Sequence, residues 1–254
     1  MIKDIREQHK NVLLLDCGDL FFNKKDIPEL RAEIGIEGLN LMKYDALNLG
    51  DGELSFGLDF LKRMTTKSSV SLLSANIIDK NHGQGIAREY LIKEFNGFRV
   101  GIIGLALPDY FEPESLIKDG LVINDPEKTL KRILSEIKEK EVDIIILLSH
   151  IGFEATKELV QKNDGIDVAI AGHGTRSTSS PEPVGNTLVV QNSFKGRYLG
   201  ILNLTLTPDG SIDKYQGKKV QLSEDIPDDP ELAILIKRFK KEAALDEKGK
   251  RDKK

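Results

Sequence analysis

Strand-length apolar runs alternate along this chain with segments of helical periodicity, and that alternation restricts the fold more than any other feature. Asn11–Asp16 (NVLLLD) is a continuous apolar run closed by Gly18, and Tyr44–Leu49, Val70–Ser74, Val142–Leu148 and Asp167–Ala171 (DVAIA) are further strand candidates. Between them, Pro28–Lys43 reads as a helix with Leu30, Ile34 and Leu41 on one side, and Phe56–Met64 and Glu154–Gln161 read as two more. The clearest helix starts after Asp125, an N-cap followed by Pro126 at the first helical position. There Leu130, Ile133, Leu134 and Ile137 recur at helical spacing and lead into the buried run Val142–Leu148. Tyr90–Phe95 and Phe98–Leu105 predict a hairpin around Asn96-Gly97, and Gly50–Gly52 a loop. Past residue 171 the pattern turns to β, with Thr187–Asn192, Leu199–Leu206 and a turn at Pro208-Asp209-Gly210. Pro227–Pro230 opens a last helix that dissolves into Lys, Asp and Glu. The order predicts a layered α/β domain over residues 1–225, followed by a linker-type helix and basic tail over 226–254.

Composition narrows the function classes. With 39% apolar and 31% charged residues the chain is globular, not disordered. Its longest apolar runs, Val100–Leu107 and Ile144–Leu148, fall far short of the ~20 residues that cross a bilayer. The N-terminal MIKDIREQHK is charged and shows no signal peptide. Cys17, the single cysteine, excludes an internal disulfide and a Cys-rich zinc site. Lys237–Lys254 holds nine basic and four acidic groups, net +5, which leaves −9 on the first 236 residues. A body this acidic lacks the clustered basic face that nucleic acid requires, and the tail reads as a solvated, partly frayed helix end.

In open α/β sheets, binding sites gather at the carboxyl ends of strands. Four of the predicted strands end in metal-ligand types: Cys17-Gly18-Asp19, Gly50-Asp51-Gly52-Glu53, Ser149-His150, and Gly172-His173-Gly174-Thr175. Taken singly, Asp19 and Asp51 read as caps or turn residues. His150 and His173 each stand immediately after a β run among small residues, and two imidazoles with two carboxylates make a divalent-metal shell. The competing reading is a pair of buried, hydrogen-bonded structural histidines. His9, in the charged N-terminal helix, and His82, in an Asn-His-Gly-Gln-Gly loop, read as surface residues.

These segments, in this order, resemble the calcineurin-like metallophosphoesterases, and within them the 5′-nucleotidase type. That family strings D-x-H, G-D, G-N-H-[DE], a lone H and G-H-x-H along alternating strands. Here Gly18-Asp19 matches G-D, Gly50-Asp51-Gly52-Glu53 takes the place of G-N-H-E, His150 falls on the lone H, and Gly172-His173-Gly174-Thr175 on G-H-x-H. The stretches NVLLLDCGDLF, YDALNLGDGELSFG, LLSANI, GFRVGIIGL and VVQNSFKGRYLGILNLTL are similar to the family's wording, from Asn11 to Leu206. The resemblance implies a four-layer α/β sandwich of two mixed sheets flanked by helices. It also implies a metal-dependent phosphoesterase acting on nucleotides or other phosphate esters.

The departures from the family pattern bear on mechanism. The family uses two metals roughly 3.5–4 Å apart to activate a hydroxide for in-line phosphoryl displacement. By the resemblance, the first metal would be held by D-x-H, by Asp19 and by the last His of G-H-x-H. No D-x-H precedes Asp19 in this sequence, and the last His is Thr175, a degenerate position. The second metal would be held by Asp19, Asp51, His150 and His173, where Asp51 replaces a neutral Asn and adds charge. The family's catalytic His position is Gly52, a loss that typically costs roughly 10²–10⁴-fold, so no residue is assigned a catalytic role.

The implied cofactor is one divalent ion, with Zn, Mn, Mg and Fe not distinguished. Two functional readings follow. One is an impaired phosphoesterase with a small phosphate-ester ligand; the other is a non-catalytic metallophosphoesterase-like binding or structural module with one metal or none. In the family the D-x-H strand lies inside a sheet, so a chain without it would be expected to leave unpaired ladder groups unless an upstream segment or neighbouring residues supply the partner. Relatives often continue through a linker helix into a substrate-specificity domain, and this sequence stops in that helix. A cytoplasmic location is expected if the chain is complete, and a periplasmic or secreted one if a signal segment lies upstream.

Overall fold

The computed structural model describes residues 1–21, 27–193 and 195–251. The chain runs α1 (Ile2–Gln8), β1 (Leu15–Asp16), α2 (Pro28–Met42), β2 (Ala46–Asn48), α3 (Asp51–Leu54), α4 (Leu58–Lys67) and β3 (Ser71–Leu73). It continues with β4 (Ile77–Asp79), β5 (Gln84–Gly85), β6 (Tyr90–Phe95), β7 (Phe98–Ala106), α5 (Pro113–Lys118), β8 (Leu121–Ile123) and α6 (Pro126–Lys138). The rest is β9 (Ile144–His150), α7 (Phe153–Lys162), β10 (Val168–Ala171), β11 (Glu182–Val184), β12 (Thr187–Gln191), β13 (Tyr198–Leu206), β14 (Ile212–Gln221) and α8 (Pro230–Arg251).

Alternation along the strands decides the layering, because successive side chains point to opposite faces. β1, β2 and β3 form a parallel sheet in that order. The second sheet, β11-β12-β10-β9-β7-β6, is parallel from β12 to β7 and antiparallel at both edges. Ile102, Ile144, Ile146, Leu148, Val168 and Leu188 point inward and meet Ala46 and Leu73 of the first sheet. Their neighbours Ile103, Leu105, Leu147, Ala169 and Val189 point outward, against Leu130, Ile133 and Ile137 of α6 and Leu159 and Val160 of α7. On the far side of the first sheet, Leu47 and Leu49 pack with Ala32, Ile36 and Leu39 of α2 and with Leu61 and Met64 of α4. Helix, sheet, sheet, helix is the expected four-layer sandwich, and each such aliphatic side chain contributes about 1.5–3 kcal/mol by burial. β13 and β14 form a hairpin sheet of their own, whose Leu202, Leu204, Leu206 and Ile212 close over the inter-sheet core.

The predicted hairpin forms, with Asn96 and Gly97 both at positive φ between β6 and β7. Asp125 caps α6 by accepting from Lys128 N at 2.7 Å. The turn at residues 208–210 closes through Gly210 N donating to Thr207 O.

Several expectations are corrected. Only Leu15–Asp16 of the expected Asn11–Asp16 strand joins a ladder. Leu14 is held by an Asp45 side chain instead, its N–H donating at 2.8 Å, and Asp45 is itself paired with Lys93. β1 therefore lies at the edge of its sheet with β2 as its ladder partner. The expected loop Gly50–Gly52 becomes helical at Asp51, where α3 begins. The expected strand Val142–Leu148 extends to His150, which is the last residue of β9 rather than beyond the strand.

The α2 face turned to the sheet is Ala32, Ile36 and Leu39, not Leu30, Ile34 and Leu41. The other side of α2 is covered by α8, through buried Leu235 and an Arg238–Glu37 ion pair. α8 does not dissolve into its charged residues but continues to Arg251. Residues 252–254 of the basic tail and Phe194 lie outside the described residues. Among the described residues no helix is long and apolar enough to cross a membrane.

One buried carboxylate ties the turn after β1 to the turn after β2. Glu53, fully buried, accepts backbone N–H groups from Asp19 (2.9 Å), Leu20 (2.8 Å), Phe21 (3.3 Å) and Gly50 (2.8 Å). Burial and the nearby Asp19 charge push its pKa up to about 7, against the pull of those amides. A side-chain amide cannot replace it, because an –NH2 group would face two of the four donors. Glu53→Gln is expected to lower stability by about 2–4 kcal/mol in denaturant unfolding. The sheets themselves leave no room at Gly104, where an added Cβ would collide with Asn48 Oδ1 and lie 2.8 Å from Leu73 Cβ. Gly104→Ala is therefore expected to cost about 1–3 kcal/mol, and an unchanged denaturation midpoint would show that the sheets part freely there.

Candidate metal centre

The parallel strands of both sheets end at the same place, and four side chains meet there. Asp19 follows β1 in a left-handed turn, with φ of 99° at Gly18 and 65° at Asp19 itself. Such backbone is uncommon for a residue with a side chain, and here the Glu53 clamp holds it in place. Asp51 is the first residue of α3 after β2. His150 closes β9, and His173 stands two residues beyond β10, again left-handed with φ of 60°.

His150 Nδ1 lies 2.7 Å from the Cys17 carbonyl, an acceptor-only partner, so Nδ1 carries a proton and Nε2 is the ring nitrogen turned to the site. From Nε2 the distances are 3.3 Å to Asp51 Oδ1, 3.5 Å to Asp19 Oδ2 and 3.3 Å to His173 Nδ1. His173 Nδ1 is 3.5 Å from Asp51 Oδ1 and 3.9 Å from Asp19 Oδ2. One ligand atom from each of the four residues falls within 4.8 Å of all the others.

Electrostatics reflect this crowding. For His150, burial disfavours the charged ring, but the Asp51 hydrogen bond, the Asp19 charge and the Cys17 carbonyl outweigh it, and the pKa rises. For Asp51, burial pulls upward and is overcome by the hydrogen bond and charge of His150, so its pKa falls. Burial raises the pKa of Asp16, whose carboxylate accepts from Gly18 N at 2.9 Å behind the site. Two carboxylates supplying charge and two imidazoles supplying nitrogen suit a divalent cation, and the Cys17 carbonyl gives His150 the outer partner that such a ligand needs.

The structure thus brings together Asp19, Asp51, His150 and His173. Thr175 is exposed and is not in this group. Gly52 lies beside it: its N–H donates to Asp19 Oδ1 at 2.9 Å. A Cβ at Gly52 would collide with the Phe21 carbonyl and come within 3.0 Å of Asp19 Oδ1, so this backbone takes no side chain without shifting. His150 combines both sequence readings, being buried and hydrogen-bonded while also aimed into the cluster. His9 and His82 are exposed as expected, and His82 pairs with Asp79 at 2.8 Å.

Sequence reasoning missed three contributors. Glu53 stands inside the quoted Gly-Asp-Gly-Glu stretch, and its position at the third residue of a helix is a capping signal. Gln191 donates from Nε2 to the His173 carbonyl at 3.1 Å and looked only like the end of a strand. Tyr110 stacks on His173 with ring centroids 3.5 Å apart, from a loop without periodicity.

No family model matches the chain. Individual proteins do. A snake venom 5′-nucleotidase of Naja atra is 30% identical over 264 aligned positions, covering 94% of this chain and 49% of that protein. The 5′-nucleotidase of Homo sapiens is 27% identical over 264 positions, covering 94% of this chain and 46% of that protein. The chain thus spans about half the length of the curated relatives it matches. The crystal structure of calcineurin-like phosphoesterase YfkN from Bacillus subtilis agrees in fold with a TM-score of 0.80 at 26% identity, covering 95% of this chain and 86% of that one. Sequence and fold agree over nearly all of the chain: it is a metallophosphoesterase domain of the 5′-nucleotidase family.

Proposed function

We propose that the chain is a metal-dependent phosphoesterase with a depleted active site, holding one divalent ion on Asp19, Asp51, His150 and His173 and hydrolysing small phosphate esters slowly. The observation that carries this reading is the convergence of four ligand atoms, from four strand ends, within 4.8 Å. The names of the relatives support a nucleoside 5′-phosphate as the substrate class. A bound ion would polarise a phosphoryl oxygen as a Lewis acid.

The chain's own residues divide the remaining work. Asp19 and Asp51 bring the compensating charge, and Asp19 is aimed by the Gly52 N–H. His150 is fixed as a nitrogen donor by the Cys17 carbonyl. Gly52 offers no imidazole for the developing charge or the leaving oxygen. Exposed Thr175 offers a hydroxyl where the family pattern has an imidazole for a second ion. The crowding at Gly52 favours a second reading, a non-catalytic module that keeps the ion, because the position has no space for the missing group.

Elemental analysis after removal of loose metal is expected to find about one divalent ion per chain. Two tightly held ions would overturn the single site, and none would leave the four ligands a coincidence. With a nucleoside 5′-monophosphate, turnover is expected far below the ~10 s⁻¹ typical of enzymes, and to vanish with chelator or with Asp51→Ala. A metal-loaded protein with no turnover at all would carry the non-catalytic reading. His173→Ala separates a ligand role from a packing role. An ion adds RT ln(1 + [L]/Kd) to folding, so this variant is expected to fall below wild type in denaturation midpoint with excess metal and to match it in chelator. Equal losses in both conditions, about 1–3 kcal/mol, would mark a structural histidine.

A further inference from the structure

We propose that Tyr110 is a positioning residue for His173: its ring fixes the imidazole plane so that Nδ1 faces Asp19, Asp51 and His150, and metal affinity depends on it. This rests on the reading that those four residues hold a divalent ion. The two histidines are secured in different ways. His150 belongs to β9, is 1% exposed, and has its ring anchored through Nδ1 to Cys17 O. His173 lies beyond its strand, its side chain is 33% exposed, its ring meets His150 Nε2 at 3.3 Å within the cluster, and Gln191 Nε2 holds its backbone carbonyl at 3.1 Å. Fixing the backbone leaves the two ring torsions to be set by whatever the ring touches.

Tyr110 touches it face to face. The ring centroids are 3.5 Å apart and the planes 8° from parallel. That is closer than the roughly 4.5–7 Å of ordinary aromatic pairs, so a rotation of the imidazole would drive it into the phenol. The phenol is itself fixed from both ends. Its residue closes the one-turn 3₁₀ helix Pro108–Tyr110 just past β7, with its N–H on Leu107 O at 3.3 Å. Its hydroxyl donates to Ile151 O at 3.1 Å, one residue past His150. Leu107 N in turn donates to His150 O at 3.3 Å. The same ring stands edge-on to His150 at 6.3 Å and 88°. Tyr110 therefore carries the rigid geometry of β7 and β9 across to the histidine that lies outside a strand.

The test uses Co²⁺ as the probe on the whole chain, with binding followed by calorimetry and by the visible spectrum of the bound ion. Wild type, Tyr110→Phe, Tyr110→Leu, Tyr110→Met and His173→Ala are compared, together with denaturation midpoints in chelator. Tyr110→Phe keeps the ring and is expected to bind within about threefold of wild type. Leu and Met keep bulk without a flat face, two variants guarding against one that fails to fold. They are expected to weaken Co²⁺ binding roughly 10–100-fold and to alter its spectrum, as loss of an orienting partner does at metal sites. Lower midpoints in chelator with unchanged Co²⁺ affinity and spectrum would overturn the proposal and leave Tyr110 a packing residue. Tyr110→Phe falling as far as Leu would overturn the stacking argument in favour of the hydroxyl. If His173→Ala binds Co²⁺ as wild type does, the ligand set itself fails. If His173→Ala is weak while Leu and Met bind normally, Tyr110 alone is excluded.

Discussion

The end of β1 lies directly against the ends of β9 and β10, and everything in the site depends on that contact between two separate sheets. Two bonds make it. Cys17 O accepts from His150 Nδ1 at 2.7 Å, and Cys17 Sγ lies 3.0 Å from Ile170 O. Burial holds the Cys17 thiol well above its ordinary pKa, so it stays neutral and acts as a small apolar residue with one weak donor. Were the first sheet to slide along the second, Asp19 and Asp51 would leave His150 and His173, since each pair belongs to a different sheet. The inter-sheet core fixes that alignment through Ala46 and Leu73 against Ile102, Ile146 and Leu148. The site is thus a consequence of sandwich packing before it is a set of ligands.

Charge is the complementary constraint. Asp16, Asp19, Asp51 and Glu53 crowd the ends of β1 and β2, with Glu53 fully buried. The fold compensates in two ways. Backbone N–H groups take the two carboxylates behind the site, four on Glu53 and one on Asp16. The two carboxylates in front, Asp19 and Asp51, meet imidazole nitrogen, and Asp19 has in addition the Gly52 N–H on its Oδ1. This division separates a structural pair, satisfied by backbone, from a pair whose oxygens remain directed at a shared point. Only the second pair has the geometry of ligands.

Much of this was legible in the sequence because strand ends carry their chemistry locally. A run such as NVLLLD followed by Cys-Gly-Asp, or DVAIA followed by Gly-His-Gly, announces both the element and the side chain it delivers. Asp19, Asp51, His150 and His173 could therefore be picked out and grouped as a candidate shell from their places at strand ends, and the resemblance gave that grouping a family pattern. What was not legible was set by partners distant in sequence. The sheet-facing side of α2 could not be read from its own apolar stripe, because α8, some 200 residues later, buries the opposite side. β14 is a strand by pairing with β13, although most of its residues are polar and exposed. Glu53 is more telling: a lone acid after a strand reads as a ligand or a cap. Only the folded turn, with four N–H groups converging on it, shows that it braces Asp19.

The departures at Gly52 and Thr175 also differ from each other in physical kind. Thr175 sits on an exposed segment. Gly52 sits in a closed one: its N–H is committed to Asp19, and a Cβ would meet the Phe21 carbonyl. That carbonyl belongs to the same Asp19–Phe21 turn that Glu53 clamps from below. Admitting a side chain at 52 would require the turn to move, and the turn carries Asp19. In this chain the geometry of the candidate ligands and the glycine are therefore coupled: the backbone that aims Asp19 at the two histidines is the backbone that leaves position 52 without a side chain.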